Sequence, residues 1–540
     1  MTNTSSQKTV PHFHDTQVPR WLLFAGAVAA AFYYYVIIFW FPPGNSLLYW
    51  ALVAGQTFLI WQVLTYIHTV WNTERRFFFN PLFRPRVDVF ITVTGEPVDI
   101  VEETARACLA MDYPKSHLKV HILNDGLVAH RDNWKDMEIL ASRLGIDCIT
   151  RTMPGGAKAG NINHGLHVTK NPFVVIFDAD HAPHPDFLAK TMGYFARTKV
   201  AFVQTPQYYK NQESAYVAGA AWEQQELFFG PICKGKNNYN AAPMCGTNMV
   251  IRREALEGVG GMKEESIAED FVTGIELHKR GWHSIYVPEI LAEGLAPEDF
   301  LSYYKQQLRW ARGSLDALFR FNLLGTFKLT FSQKLQYLSS VSFFVSGIVI
   351  MMNALFPLIF LFTGQMPFVV TTMTLAAVFL PYMFLTLYIL QRSNGNRFTF
   401  NALAFAMGNF WIHVRALAAA MTGHKSTFSV TEKRGLEGDF LHLAVPSLVY
   451  FAVFIAAAIV GIAHNGLSPA VANNLAWGLF NCAVFIPVVY AASPHAALQT
   501  ARKALRRRAA ALLPVPAPPP AASAANAASV GAAYSEQGVR

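Results

Sequence analysis

Long apolar segments constrain the fold of this chain more than any other feature of its sequence. A helix needs roughly 20 apolar residues to cross the hydrocarbon core of a bilayer. Segments of this kind lie at residues 21–41, 47–66, 338–362, 368–390, 441–463 and 471–492. The composition agrees, because 52% of the 540 residues are hydrophobic and 15% are charged, against about 25% charged in an average soluble domain. The sequence therefore predicts a membrane protein with a separate soluble part.

The first apolar segment and one further stretch need separate interpretation. Residues 21–41 are too long and too aromatic for a cleaved signal peptide, and no small-residue cleavage site follows them, so they indicate a retained anchor. Residues 401–421 mix Asn401, His413 and Arg415 into an apolar background, which favours a helix lying in the membrane interface over one that spans it. We therefore predict six transmembrane helices, two before the soluble part and four after it.

Basic residues indicate the orientation in the membrane. They cluster beside apolar segments, at residues 75–86 and 502–508. The positive-inside rule then predicts that the soluble part and both termini lie in the cytoplasm. The membrane that the protein spans is then predicted to be the inner (plasma) membrane. The same clustering favours contact with anionic lipid, and not with nucleic acid, as the reason for the formal net charge of +9. The five cysteines show no CxxC pair, which fits a reducing compartment.

Between the second and third apolar segments the pattern changes to short apolar runs separated by charged, helical stretches. The apolar runs lie at residues 87–94, 118–125, 146–150 and 173–180, and the predicted helices lie at residues 98–111, 131–144 and 158–168. This alternation is typical of a mostly parallel, doubly wound sheet. We therefore predict an α/β domain inserted in an α-helical membrane domain.

The predicted organisation follows from these patterns. It comprises a polar tail at residues 1–20, two transmembrane helices within residues 21–70, the soluble domain at residues 71–335, four transmembrane helices within residues 336–492, and a basic, then Ala- and Pro-rich tail at residues 493–540. The composition of that last tail gives it no means of forming a core, so we predict that it is disordered.

The apolar run from Phe173 to Phe177 ends on two carboxylates, Asp178 and Asp180. In an extended segment both project from the same side, where two oxygen ligands can share one Mg²⁺ or Mn²⁺ ion with a diphosphate. A DxD pair by itself is more often a solvated turn after a strand. The other strand ends must decide between these two interpretations.

Polar residues also follow the other predicted strands. Glu96 comes after the first strand, Asp125 ends the second, and Lys158 opens a helix after a Gly-Gly turn. Ligands bind at the carboxyl ends of the strands in an open α/β sheet, and a helix N-terminus is a ready site for a diphosphate. Each residue alone could be a cap or a surface charge, but their joint placement favours a nucleotide site.

Glu269 and Asp270 precede a predicted helix over residues 271–280 that closes on basic residues. Acids at the start of a helix and bases at its end are ordinary capping and dipole chemistry, so a structural role is the default interpretation. The helix N-terminus is expected to favour the ionised form of Asp270.

A further helix is predicted to begin near Pro297. It would carry Gln306, Arg309 and Trp310 on neighbouring faces, offering an amide, a guanidinium fork for phosphate and an indole face for a sugar ring. The same residues would also suit an amphipathic helix resting on the membrane.

Nine short motifs then stand in a fixed order between residues 93 and 433: VTGE, LNDG, AKAGNIN, FDADH, VQTP, CGTN, AED, QQLRW and FSVTEK. This ordered set resembles the processive, membrane-embedded inverting glycosyltransferases of family 2, of the cellulose synthase type, over about residues 21–490. The resemblance implies a GT-A-like transferase domain, a Mg²⁺ or Mn²⁺ ion, a UDP-sugar donor and a growing polysaccharide acceptor. It also admits an accessory export subunit as a further partner.

The resemblance implies roles for individual residues. At the nucleotide it places Glu96, Asp125, Lys158 and Asp178. It places Asp178 and Asp180 at the metal, and it assigns Asp270 as the general base. At the acceptor it places Cys245, Gln306, Arg309 and Trp310. In a gating loop at residues 422–437 it places Phe428, Val430, Thr431 and Lys433.

Two departures from the family pattern stand out. Ala268 occupies the position of the family's threonine before the Glu-Asp pair, which puts the identity of the product in doubt more than catalysis. The short segment after the last apolar stretch leaves no place for a regulatory PilZ domain. We therefore expect no activation by cyclic di-GMP.

The function we predict is polymerisation of a β-glucan from UDP-glucose, with transport of the product across the membrane. A hyaluronan-like or chitin-like synthase that uses another UDP-sugar is the enzymatic alternative. A transporter with a nucleotide-binding regulatory domain is an alternative from another class, but it would require paired charges inside the membrane, which the apolar segments almost lack.

Overall fold

The computed structural model describes residues 12–422, 435–436, 438–496 and 498–500. The four residues expected in the gating loop lie outside the described residues, as does most of the C-terminal tail. The soluble part of the chain forms a seven-stranded sheet with the strand order β3-β2-β1-β4-β8-β6-β9, numbered along the chain. The strands of this sheet are β1 Val87–Val93, β2 Leu118–Asn124, β3 Asp147–Thr150, β4 Phe173–Asp178, β6 Val200–Gln204, β8 Met249–Arg252 and β9 His283–Tyr286.

This sheet is mostly parallel, as predicted. Strand β1 pairs in parallel with both β2 and β4, β2 with β3, and β6 with β9, whereas β8 runs antiparallel to β4 and β6. A smaller sheet has the order β5-β10-β7. Its strands are β5 Ala182–Pro183, β7 Tyr208–Tyr209 and β10 Ala292–Gly294.

Helices cover both faces of the large sheet. Those of the soluble part are α3 Val98–Leu109, α4 Trp134–Leu144, α5 Ala157–Val168, α6 Phe187–Thr191, α7 Tyr216–Leu227, α8 Cys233–Asn238, α9 Arg253–Gly258, α10 Glu269–Lys279 and α11 Phe300–Phe319. The helices predicted at residues 98–111, 131–144 and 158–168 are therefore present, with ends that shift by a few residues. The helix predicted near Pro297 begins at Phe300, where Asp299 caps it by accepting a hydrogen bond from Ser302 N at 2.8 Å.

The apolar run that ends in the DxD pair is buried on both faces of the sheet. Val175 and Phe177 of β4 pack in one core, beneath α3, while Val174 and Ile176 pack in a second core against α5 and α9. Burying a side chain of this size contributes about 1.5–3 kcal/mol. An uninterrupted apolar run is therefore what a central parallel strand requires.

Long apolar helices flank the soluble part on both sides along the chain. They are α1 Arg20–Phe39, α2 Ser46–Val70, α12 Phe331–Thr363, α13 Thr372–Ser393, α14 Phe400–Gly408, α15 Phe410–Met421, α16 Val445–Asn465 and α17 Pro469–Ala492. Among the described residues, seven helices are long and apolar enough to cross a membrane when α14 and α15 are joined. Those two helices are separated at Asn409, and 56% of their most apolar window is buried inside the protein. The interfacial location of residues 401–421, and with it the count of six spans, stays a prediction.

Hydrogen bonds from a buried lysine link the soluble domain to the membrane helices. Lys236 of α8 is 1% exposed, and its Nζ donates hydrogen bonds to the carbonyl of Gln336 and, at 2.8 Å, to the hydroxyl of Ser339, both in α12. The side chain of Gln336 in turn accepts a hydrogen bond from Thr69 Oγ1 of α2 at 2.9 Å. Burial lowers the pKa of Lys236 to about 7. The domain is thus anchored by a polar network and not only by the chain connections.

Candidate active site

A pocket opens at the carboxyl end of the parallel sheet, where β1 and β4 end side by side. Thr92 of β1 pairs in register with Asp178 of β4, and both residues line the pocket. Asp180, two residues beyond β4, lines the same pocket. This is the edge at which ligands bind in open α/β sheets.

Three side chains at this strand end can hold a metal ion. One ligand atom from each of Asp178, Asp180 and His181 lies within 4.8 Å of the others. His181 is buried, its Nδ1 lies 3.4 Å from Asp180 Oδ1, and its Nε2 has no hydrogen-bond partner among the described residues. Leu295 N donates a hydrogen bond to Asp180 Oδ2 at 3.1 Å and fixes that carboxylate. The two carboxylates supply the oxygen ligands that Mg²⁺ and Mn²⁺ prefer.

The start of α5 is shaped by two glycines. Gly155 and Gly156 have φ angles of +132° and +64°, which side chains other than that of glycine rarely adopt. Helix α5 begins directly afterwards at Ala157, so Lys158 is its second residue. The helix N-terminus and Lys158 therefore lie together at the pocket, as the Gly-Gly turn in the sequence predicts.

Lys158 is a fixed positive charge beside the DxD carboxylates. Its Nζ donates hydrogen bonds to Asp178 Oδ1 and, at 2.8 Å, to the carbonyl oxygen of Gly246. Burial alone would lower the pKa of Lys158, but the negative charges of Asp178 and Glu269 outweigh burial and raise the pKa. Lys158 therefore stays protonated at neutral pH.

Asp270 lies in the first turn of α10 and lines the same pocket. The N-cap residue of this helix is Ala268, which makes no side-chain capping hydrogen bond, and Asp270 is the second residue of the helix. Asp270 Oδ1 accepts a hydrogen bond from Phe271 N at 2.7 Å. A Cβ atom added to Gly246 would lie 2.7 Å from Asp270 Oδ2, so only glycine fits beside this oxygen.

Burial acts against the ionised form of Asp270, which the helix N-terminus is expected to favour. Burial raises the pKa of Asp270, against the hydrogen bond from Phe271 and the nearby charge of Lys158. Burial and then the charge of Asp270 raise the pKa of Glu269 to about 7. The helix dipole is worth only about 0.3–1 kcal/mol, which is less than the desolvation penalty of a buried carboxylate. The helix N-terminus, which the sequence predicts to favour the ionised form of Asp270, is therefore outweighed by burial, and the pKa of Asp270 lies above its ordinary value.

Helix α11 supplies another part of the pocket wall. Gln306, Arg309 and Trp310 all line it. Gln306 is buried, whereas Arg309 and Trp310 are half-buried. The structure thus brings together the residues that the sequence predicts for the acceptor and those that it predicts for the metal, although Asp180 and Gln306 are 126 positions apart in the sequence.

Glu96 and Cys245 line the pocket as well. Glu96 Oε2 accepts a hydrogen bond from Thr94 N at 2.6 Å, just beyond β1. Cys245 N donates a hydrogen bond to Gln204 Oε1 at 2.9 Å, and the carbonyl of Cys245 accepts one from Gln207 Nε2 at 2.6 Å. Both predicted residues are therefore held rigidly at the edge of the site.

Asp125 has a different environment from the other predicted residues. It follows β2 directly, it is 3% exposed, and both of its carboxylate oxygens accept hydrogen bonds from Arg151. It is not among the residues that line the pocket. A contact of Asp125 with the nucleotide therefore stays a prediction.

Some pocket residues were missed from the sequence. His181, Gln207 and Tyr209 line the pocket without having been singled out. His181 is the last residue of the FDADH motif and could have been considered together with Asp178 and Asp180. Gln207 directly follows VQTP, so extending that motif by one residue would have found it. Tyr209 belongs to the two-residue strand β7, which shows no sequence signal of its own.

Family models match two overlapping parts of the chain. Residues 85–313 match the model described as "Glycosyltransferase like family 2", and residues 259–394 match the model described as "Cellulose synthase". These two ranges contain every pocket residue named above. They confirm the resemblance drawn from the ordered motifs.

Curated relatives carry the same family description. The chain is 32% identical over 465 residues to a "Cellulose synthase catalytic subunit [UDP-forming]" of Pseudomonas fluorescens, covering 82% of this chain and 62% of that protein. It is 33% identical over 434 residues to "Putative cellulose synthase 2" of Komagataeibacter xylinus, covering 77% of this chain and 28% of that protein. The chain therefore spans less than two thirds of the length of these curated relatives.

Among solved structures, the chain is similar to the mannosyltransferase PcManGT of Pyrobaculum calidifontis, which was solved with GDP-Man and Mn²⁺. The TM-score is 0.51 at 18% identity, over 70% of this chain and 100% of that one. This likeness concerns the fold, which is of the GT-A type. The chain therefore carries a family 2-like glycosyltransferase domain that continues into a cellulose synthase domain, in a GT-A-like fold flanked by long apolar helices.

Proposed function

We propose that this protein is an inverting glycosyltransferase that polymerises a β-glucan from UDP-glucose and passes the product through its own membrane helices. The observation that carries the proposal is the convergence of side chains from distant segments in one pocket. These side chains are those of Asp178, Asp180, Lys158, Asp270, Gln306, Arg309 and Trp310. The relative named as a UDP-forming cellulose synthase catalytic subunit supports UDP-glucose as the donor.

The donor side of the site would present positive charge to the diphosphate of the nucleotide. Asp178, Asp180 and His181 would hold a Mg²⁺ or Mn²⁺ ion, which when bound neutralises charge on the diphosphate leaving group. Lys158 supplies a second positive charge, and the first turn of α5 supplies backbone N–H groups. The Mn²⁺ in the mannosyltransferase of similar fold supports a divalent ion.

The acceptor side needs a base. Asp270 is the residue we assign to this role, because one of its oxygens is held by Phe271 N while Oδ2 lies beside Gly246 at the pocket wall. Asp270 Oδ2 would take the proton of the acceptor hydroxyl while the hydroxyl oxygen attacks the sugar carbon from the face opposite the diphosphate. Such a displacement inverts the configuration at the sugar carbon, which gives a β-linkage from an α-linked donor.

A processive enzyme must hold its product between additions. Trp310 is half-buried at the pocket wall, where its indole face can stack on a sugar ring, and Gln306 and Arg309 can hydrogen-bond the ring hydroxyls. This arrangement favours retention of the growing chain beside the middle of α11. The residues expected in the gating loop, from Phe428 to Lys433, would close over the bound nucleotide.

The location that we propose is the inner membrane, with the catalytic domain and both termini in the cytoplasm. The basic residues at 75–86 support this orientation because they directly follow the membrane helix α2. An accessory export subunit would receive the product on the other side.

The decisive experiment uses the purified chain and single labelled UDP-sugars. We expect UDP release and a polymer from UDP-glucose, and we expect a β-glucan-specific glycanase to digest that polymer. Polymer from UDP-N-acetylglucosamine or UDP-glucuronate, with none from UDP-glucose, would favour the chitin-like or hyaluronan-like alternative. Absence of UDP release with every sugar would contradict transferase activity altogether.

A further inference from the structure

Arg151 connects two parts of the donor site that lie far apart in the sequence. It directly follows β3, and it is 7% exposed. Its Nε donates a hydrogen bond to Asp125 Oδ1 at 2.9 Å, and its Nη2 donates one to Asp125 Oδ2 at 2.7 Å. This two-pronged geometry is specific to a guanidinium, because a lysine offers only a point charge.

The same guanidinium reaches the turn that starts α5. Its Nη1 donates a hydrogen bond to the carbonyl of Gly155, and its Nη2 donates one to the carbonyl of Ala157 at 3.3 Å. A Cβ atom added to Gly160, one turn into α5, would lie 2.5 Å from Arg151 Nη1. The glycine therefore leaves the room that the guanidinium occupies.

We infer that Arg151 is a positioning residue for the donor nucleotide, which it serves by holding Asp125 and the start of α5 in one rigid arrangement. The inference rests on the proposed function, in which Lys158 faces the diphosphate, and on the sequence-based prediction that Asp125 contacts the nucleotide. Each carboxylate oxygen of Asp125 keeps a second lone pair for a ligand while it accepts from Arg151. Arg151 thus acts through its neighbours and needs no contact with the sugar.

The chain offers a matched control at the opposite end of the sheet. Arg253, at the start of α9, is 6% exposed, and its Nη2 donates a hydrogen bond to Asp88 Oδ2 at 3.0 Å. Its Nη1 also donates to the carbonyl of Leu166 at 2.8 Å. Arg253 is therefore another buried arginine with a carboxylate and a carbonyl partner, but it lies near the beginning of β1 and away from the pocket.

The test compares Arg151→Met with Arg253→Met in the full chain. UDP with Mg²⁺ is the probe, and its Kd is measured by calorimetry on the folded fraction, beside kcat and KM for UDP-glucose. We expect Arg151→Met to raise the Kd of UDP and the KM at least about tenfold, with a smaller change in kcat, because the binding groups lose their mutual geometry. Arg253→Met should lower the melting temperature while leaving the Kd of UDP within about threefold of wild type, since a distant site does not couple to the pocket.

A second variant and a double variant complete the test. Arg151→Lys keeps the buried positive charge but cannot make the two parallel hydrogen bonds to Asp125, so it should also raise the Kd of UDP. This variant replaces Arg151→Met in the test if the methionine variant does not fold. In Arg151→Met combined with Asp125→Asn, the loss of UDP affinity should be smaller than the product of the two single losses, because the two residues act as one unit.

Equal changes in the Kd of UDP for Arg151→Met and Arg253→Met would overturn the inference, and so would a strictly multiplicative double variant. These outcomes leave the proposed function intact if the wild-type chain binds UDP and makes polymer. A wild-type chain that binds no UDP would overturn the proposed function and the inference together.

Discussion

Gly313 lies so close to Ala268 that a Cβ atom added to the glycine would be 2.4 Å from the Cβ atom of the alanine and 2.7 Å from its backbone nitrogen. Ala268 is the N-cap residue of α10, which carries Asp270, and Gly313 is in α11, one turn beyond Trp310. The two helices that bring the base and the acceptor residues together therefore meet at this contact.

The first prediction concerns that contact. Gly313→Ala should lower kcat by about tenfold or more, because backbone atoms of α10 must move and a displacement of about 1 Å can cost about a hundredfold in rate. The affinity for UDP should change little, since the donor residues lie on other elements. Turnover measured beside UDP binding checks both expectations.

Gly258→Ala is the matched control, because no atom lies within 4 Å of the position that its Cβ would take. Equal kinetics for the two glycine variants would show that the contact between the helices does not set the geometry of the site.

The second prediction concerns the metal ligands. Asp180→Asn removes one negative ligand from the group formed with Asp178 and His181, so turnover with Mg²⁺ or Mn²⁺ should be abolished while the protein folds. Binding of Mn²⁺, followed by paramagnetic resonance, should be lost in parallel. Asp186→Asn, a surface carboxylate paired with Lys190, should retain both. Near-normal turnover in Asp180→Asn would remove these residues from the metal site.

The third prediction is a pH dependence. Burial raises the pKa of Asp270 and brings that of Glu269 to about 7. A base must be ionised to accept a proton, so kcat/KM should fall as the pH is lowered through these raised pKa values, above the ordinary value of about 3.9 for aspartate. The fall of kcat/KM at low pH, which is the acidic limb of the pH profile, reports the titration of Glu269 and Asp270 as a pair and not of one residue.

Glu269→Gln tests the origin of this limb. It removes the negative charge next to Asp270 and should therefore shift the acidic limb to lower pH. A profile that stays flat down to about pH 5 in the wild-type protein would contradict a base with a raised pKa.

The fold was largely predictable because the apolar pattern and the burial coincide. The uninterrupted run of β4 and the helical stretches between strands left few alternatives to a mostly parallel sheet. The carboxyl ends of parallel strands meet at one edge, so Asp178 and Asp180 could be placed in a site before the structure was known.

Features that depend on contacts between distant segments were not predictable. The pairing of Arg151 with Asp125 requires the register of β2 and β3, which fixes where both strands end. The raised pKa of Asp270 requires knowledge of what buries it, and the sequence shows only that a helix begins there. Tyr209 reaches the pocket through a short strand that pairs with β10, about 85 residues later in the chain.

The role of Asp270 is the central claim, and Asp270→Asn tests it most directly. The substitution keeps the size of the side chain and removes its basicity, so loss of a general base should slow transfer by about 10²- to 10⁴-fold. Helix stability should barely change, since the amide oxygen of asparagine can accept the hydrogen bond from Phe271 N that Asp270 Oδ1 accepts. Single-turnover transfer of labelled glucose, measured beside the Kd of UDP, is the measurement. We expect transfer at least about a hundredfold slower with an unchanged Kd of UDP. Transfer slowed by less than about tenfold would contradict the role of Asp270 as the base and direct attention to Glu269.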